Sequence, residues 1–220
     1  MDPAILPTVG LFLLVIGVVA VAFHLENKRK AALQAAAQQL GFTYSLGSIP
    51  LSAGPGFAQD LSAMSIRQRG RSNKIDLSLV GTHQGRETAL FELSYVTGTK
   101  KNRSTHRLLC CAVKVGRQLP KFELRPEGFL DSIGAMIGFD DIDVSSDPEF
   151  SKKFHLSGQN PGLITQIFTP TVRRKLLDLE KVELAAAGET IVVYRKTEKL
   201  DPKNLSKTLE SYSAVARIFL

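Results

Sequence analysis

Residues Ile75–Tyr95 read IDLSLVGTHQGRETALFELSY. Ile75, Leu77 and Leu79 alternate with polar residues up to Gly81, the chain turns over Thr82–Arg86, and Ala89, Phe91, Leu93 and Tyr95 alternate on the way back. Successive strand side chains point to opposite faces, so the period of two predicts an antiparallel hairpin with one buried face. Gly98–Thr105 follows as a basic loop, and His106–Val115 returns as a third strand. Its continuous apolar middle, Leu108–Val113, is the pattern of a central strand covered on both faces.

Beyond these strands, Leu119–Leu124 reads as a short edge strand because of Pro120. Arg125-Pro126-Glu127 then opens a helix with Phe129, Leu130, Ile133, Met136 and Ile137 on one face and Gly138 at its end. Two short strands are expected at Ile142–Val144 and Phe150–Leu156. Pro161 and Pro170 each start a short helix, 161–168 and 170–179, the second capped by Thr169. Val182–Leu184 and Thr190–Arg195 predict a hairpin turning at Ala187-Gly188. In the last helix Asp201 caps, Pro202 starts, and Leu205, Leu209, Tyr212, Ala216 and Phe219 form an apolar stripe.

On the N-terminal side, Ala4–Phe23 is AILPTVGLFLLVIGVVAVAF, with no charged residue. At about 1.5 Å per residue it matches the roughly 30 Å hydrocarbon layer of a bilayer, so a transmembrane helix is expected. Ala20-Val21-Ala22 has the form of a signal-peptidase site, but no Lys or Arg precedes the apolar core and the core is long for a cleaved signal. Asp2 lies before the span and Lys28, Arg29 and Lys30 after it, which places the large domain in the cytoplasm, at the cell's inner membrane. The helix continues through Leu33, Ala36, Ala37 and Leu40 to Gly41, as a stalk or packing helix. Phe42–Leu46 reads as a strand, and 47–63 as the longest irregular stretch.

The order of these elements gives an α+β fold. It consists of an N-terminal transmembrane helix, then an antiparallel β-sheet domain packed with short helices and a C-terminal helix. The division is 1–3 tail, 4–23 transmembrane helix, 24–41 juxtamembrane helix and 42–220 soluble domain. Residues 24–220 hold all 28 basic residues and 20 of the 21 acidic ones, a formal charge of +8. The bland reading of that charge is a solvated surface, but beside a membrane it also favours anionic lipid.

No G-x-S-x-G elbow, P-loop, H-E-x-x-H or zinc spacing occurs, and no cofactor is expected. Cys110 and Cys111 adjoin on a strand, which turns them to opposite faces and makes them small buried hydrophobes. The acidic run Asp140-Asp141-Ile142-Asp143, with Asp147 and Glu149, offers Asp141 and Asp143 as weak metal ligands. It would serve a metal-dependent hydrolase or transferase if it served catalysis, but aspartates are also common in turns for their own backbone hydrogen bonds. Basic residues gather at Arg67–Lys74, at Arg173–Lys175, and at Lys100, Lys101, Arg103 and Arg107. The last group is the candidate for anionic-lipid contact. Nucleic acid is not expected, because the aromatic residues sit at core-like spacing.

Leu119-Pro120-x-Phe122-x-Leu124-Arg125-Pro126-Glu127, Asp141-Ile142-Asp143, Pro148-Glu149-Phe150-Ser151 and Leu156-x-Gly158 resemble the motif set of a group of uncharacterised bacterial proteins, many of them single-span or membrane-associated. Val144 and Phe154 depart from it, standing where an aromatic and a tyrosine are usual. The resemblance implies membrane association and carries no activity. The expected function is a membrane-anchored accessory domain that binds lipid headgroups or a membrane-protein partner, with the bilayer held through residues 4–23.

Overall fold

The structure is a computed structural model that describes residues 5–50, 58–64, 66, 70–99, 101–128, 140–144, 146–196 and 199–220. Helix α1 (Ile5–Gln39) is continuous from the apolar run into the domain. It ends at Gly41, whose φ of +74° suits a residue without a Cβ, and the Phe42 N–H reaches back to the Ala37 carbonyl at 2.9 Å. Strand β1 (Thr43–Pro50) and helix α2 (Ala58–Ala63) precede the long hairpin β2 (Arg71–His83) and β3 (Arg86–Thr97). Strand β4 (Ser104–Pro126) is followed by β5 (Asp140–Asp141), α3 (Pro148–Lys153), β6 (Phe154–Gly158), α4 (Pro161–Ile167) and α5 (Pro170–Leu177). Strand β7 (Glu183–Lys196), a 3-10 turn at Pro202–Asn204 and α6 (Leu205–Arg217) close the chain.

All the pairings are antiparallel, in the order β1-β2-β3-β4-β6-β5. Strand β7 lies along β4 from Leu108↔Lys196 to Leu124↔Leu184. Its partner β4 shares the first half of its other edge with β3 and the second half with β6. Between Lys114 and Leu119 the register slips, and Gly116 at φ +72° takes the bend. The α+β class with an antiparallel sheet, helices and a C-terminal helix is therefore as the sequence predicts.

Helices cover both faces. On one, Leu33 and Ala37 of α1, Phe42 and the Leu205, Leu209, Tyr212 and Ala216 stripe of α6 pack with Leu79, Leu90, Phe122 and Phe168. On the other, Leu61, Met64 and Ile66 pack with Phe91, Leu93, Leu108 and Tyr194. Cys110 and Cys111 divide between these two clusters, both buried and neither in a disulfide, and burial pushes the Cys111 thiol up to about 12.

Several local expectations are corrected. The β2–β3 hairpin buries both faces, since Leu90, Glu92 and Ser94 are as enclosed as Phe91 and Leu93. The expected edge strand at 119–124 is the second half of β4 and lies inside the sheet, where β6 and β7 flank it. Arg125 and Pro126 are the last residues of that strand, and positions 129–138 of the expected helix lie outside the described residues. The expected strand at 150–156 starts as helix α3, because Asp147 accepts the Phe150 N–H at 3.2 Å and Pro148 suits a first turn; β6 begins only at Phe154.

The expected hairpin at Ala187-Gly188 does not exist, since β7 runs straight through. Gly188 is required for a different reason: a Cβ there would lie 2.2 Å from Asp60 Oδ1. Asp60 on α2 accepts from Lys114 Nζ at 2.7 Å, Thr190 Oγ1 at 2.6 Å and the Glu189 N–H at 3.3 Å, pinning α2 across β4 and β7. Burial alone would raise the Asp60 pKa, but these donors outweigh it and hold the carboxyl below its ordinary value.

Candidate functional site

Glu92 is a carboxylate in the middle of ALFELSY, on the face that α1 covers. A buried charge needs partners, and here they come from two other elements. Arg29 of α1 donates through Nη1 at 2.8 Å and Nη2 at 3.2 Å, and the Leu200 N–H, beyond β7, donates at 2.8 Å. Arg29 also donates to the Leu200 carbonyl at 2.8 Å and to Glu26, one turn earlier, at 2.6 Å. Lys199 completes the group at 3.1 Å from Glu26. Helix, sheet and the segment before α6 are thus tied at one point.

The electrostatics follow from that geometry. The Arg29 hydrogen bond, with Lys199, holds the Glu26 carboxyl down at about 2. Burial works against the Arg29 charge, but the bonds to Glu92 and Glu26 outweigh it and raise its pKa. Around this group opens a cleft of about 380 Å³ between α1 and strands β1–β4, lined also by Lys30, Asp76 and Arg107. A larger cleft of about 490 Å³ lies beside α4, α5 and the end of α6, but its one charged side chain, Arg117, donates to the Phe219 carbonyl at 2.7 Å.

The cleft sits at one pole of the sheet. Phe42, just past α1, packs on Gly81 opposite Thr88, whereas Arg29 meets Glu92. Going from Phe42 back to Arg29 therefore follows β3 from Thr88 toward Thr97, and the apolar first half of α1 leaves the domain at the end that carries the β3–β4 turn. Exposed Arg71, Lys101, Arg103, Arg107, Arg195 and Lys199 all lie at this end by their strand register or sequence neighbours. From Phe12 to Leu25 every residue of α1 is exposed, the large apolar side chains by 49% to 67%. Among the described residues no helix is long and apolar enough to cross a membrane. The apolar run whose side chains are described, Phe12–Phe23, is about 18 Å of helix at 1.5 Å per residue, against roughly 30 Å of hydrocarbon.

Of the lipid-contact candidates, Lys101 and Arg103 are exposed in the β3–β4 turn, Arg107 is exposed on β4 opposite Ser94, and Lys100 lies outside the described residues. The acidic candidates do not converge. Asp141 is exposed on β5, 3.3 Å from His155 Nδ1, and Asp143 is exposed beyond it. Asp147 caps α3 and takes Arg173 Nε at 2.6 Å, which lowers its pKa. Among the described residues no group of three or more His, Cys, Asp or Glu could hold a metal ion.

A further buried polar group lies on the opposite face. Tyr194 donates to Glu123 at 2.6 Å, and Arg125 Nε stands 3.5 Å from the same oxygen, so the two charges offset one another. Sequence reasoning missed Glu26, Arg29, Glu92 and Lys199. The available signal was Glu92, a charged residue following the apolar run Ala89-Leu90-Phe91 in a central strand.

Fold and site together define an α+β domain on a bent antiparallel sheet, helix-covered on both faces, from which one long helix projects. No protein-family model matches the chain, and no curated protein matches it. Its fold is shared with the mycobacterial trehalose monomycolate transport factor A, TtfA, whose crystal structure aligns with a TM-score of 0.54. That alignment covers 88% of this chain and 95% of the other at 9% identity, a likeness of fold alone.

Proposed function

We propose that the protein is a membrane-anchored accessory domain, binding rather than catalysing, with its C-terminal domain on the cytoplasmic face of the inner membrane. The observation that carries this is the helix segment Phe12–Phe23, apolar and exposed on every side. A helix apolar all round is stable inside a large core or inside a bilayer, and no core surrounds this one. The sequence continues the same composition back to Ala4, so the whole run 4–23 is long enough to span. The flanking Lys28, Arg29 and Lys30 favour the cytoplasmic side.

The basic pole supports the second half of the reading. Lys101, Arg103 and Arg107, with Lys100 by sequence, meet anionic headgroups where the helix leaves the domain. Each is worth about 1 kcal/mol near such a surface, so together they orient the domain while the helix attaches it. A fold shared with a factor for trehalose monomycolate transport is compatible with an accessory role beside lipid. The test is alkaline extraction of membranes from cells expressing the full chain, together with a phosphatase reporter fused after Leu220. The chain should stay in the pellet and the reporter stay inactive. A chain released by carbonate would refute the anchor, and an active reporter would refute the orientation.

A further inference from the structure

The cleft beside Arg29 has an uneven charge account. Its three carboxylates are committed: Glu92 to Arg29 and the Leu200 N–H, Glu26 to Arg29 and Lys199, and Asp76 to Lys74 at 3.7 Å. Two cations on its wall are not. Half-buried Lys30 on α1 and exposed Arg107 on β4 form no hydrogen bond or ion pair among the described residues. The fixed Arg29 guanidinium and Lys199 stand beside them, so an anion entering the cleft meets positive charge from two elements and no free carboxylate.

Depth selects the anion. Leu25 is the last apolar residue before Glu26, and at 1.5 Å per residue Lys30 lies about 7.5 Å farther along the axis. The polar layer on each side of the hydrocarbon is roughly 5–7 Å thick. With α1 in the bilayer, the cleft is at the level of the lipid phosphates. We infer that it is a binding site for the phosphodiester of an anionic lipid headgroup, with Lys30 and Arg107 contacting the phosphate oxygens and Arg29 held rigid behind them. This rests on the anchoring proposed above. The site is distinct from the β3–β4 turn, which meets the membrane surface broadly.

The experiment is native mass spectrometry of the full, delipidated chain in detergent, titrated with phosphatidylglycerol and, separately, with phosphatidylcholine. The parent should retain phosphatidylglycerol and shed phosphatidylcholine. Lys30→Gln and Arg107→Gln should each weaken retention about fivefold and the pair about twenty-five-fold, the equivalent of about 1 kcal/mol per side chain. Arg107→Lys should keep most of the affinity, and Arg174→Gln with Lys175→Gln, exposed on α5 away from the cleft, should leave it unchanged. Unfolding midpoints of all variants should match the parent, because neither cleft cation holds the fold.

Parent-like retention by the Lys30/Arg107 double variant, or equal retention of phosphatidylcholine, would overturn the site. So would loss in the Arg174/Lys175 variant equal to that in the cleft variant. Displacement of the lipid by equimolar inorganic phosphate would reassign the cleft to free phosphate. Carbonate release of the chain with lipid retention intact would sink the anchor and leave the cleft standing.

Discussion

The two poles of the sheet carry similar residues in different states. At the β2–β3 turn, exposed Glu210 of α6 meets half-buried His83 Nε2 at 3.1 Å, exposed Gln84 Nε2 at 2.9 Å and half-buried Arg217 Nη2 at 2.6 Å, and Arg217 also meets Gln84. At the other pole the Glu92–Arg29 pair is enclosed and joins three elements, while other cations stand unmatched around it. Solvent-exposed pairs are screened and contribute little, whereas an enclosed pair is expensive to break once formed. One pole is therefore ordinary surface, and the other is where helix, sheet and surface charge are coupled.

Removing Glu92 should have the largest effect. Glu92→Ala leaves Arg29 and the Leu200 N–H without their shared acceptor, which should cost about 3 kcal/mol in urea unfolding of the full chain in detergent. Near-parental stability would mean that the enclosed pole is no more coupled than the exposed one.

Acid should act next, and mainly at the same pole. The Glu26 carboxyl is held near 2, below its ordinary 4.5, so its contribution is complete above about pH 4.5 and is lost as pH falls toward 2. Asp60 and Asp147 are also depressed and add to the same acid limb. The unfolding midpoint should drop through that window, and Glu26→Gln should flatten the slope. An unchanged slope would place the acid sensitivity elsewhere.

The smallest effect belongs to the exposed pole. Glu210 is lowered by Arg217 and His83, but it lies in solvent, and Glu210→Gln should leave the neutral-pH melting temperature within measurement error. A clear drop would remove the contrast between the poles.

The β2 and β3 strands, the α6 stripe and the caps at Thr169 and Asp201 were legible in the sequence because each depends on a short-range period or a local hydrogen bond. Gly188 and Pro120 were misread because both residues have a second use. Gly188 admits Asp60 from a distant helix, and Pro120 sits at a slipped register inside the sheet rather than at its edge. Phe150 lies in a helix and not in the expected strand because Asp147 accepts its N–H and starts α3 there.

The candidate site was half legible. The basic loop residues were named from the sequence, but Glu92 and Leu200, the two distant partners of Arg29, were not: they are 63 and 171 residues away, and no local pattern records them. By itself, the sequence determined the long β2 and β3 strands, the α6 helix, the antiparallel class and the long apolar run, because periodicity, capping and hydropathy act over a few turns of chain. Tertiary structure alone decided that β7 runs unbroken, that Glu92 can be buried, and that the basic turn shares a pole with the projecting helix. Each of those depends on groups far apart in the chain satisfying one another's charge or filling one another's space.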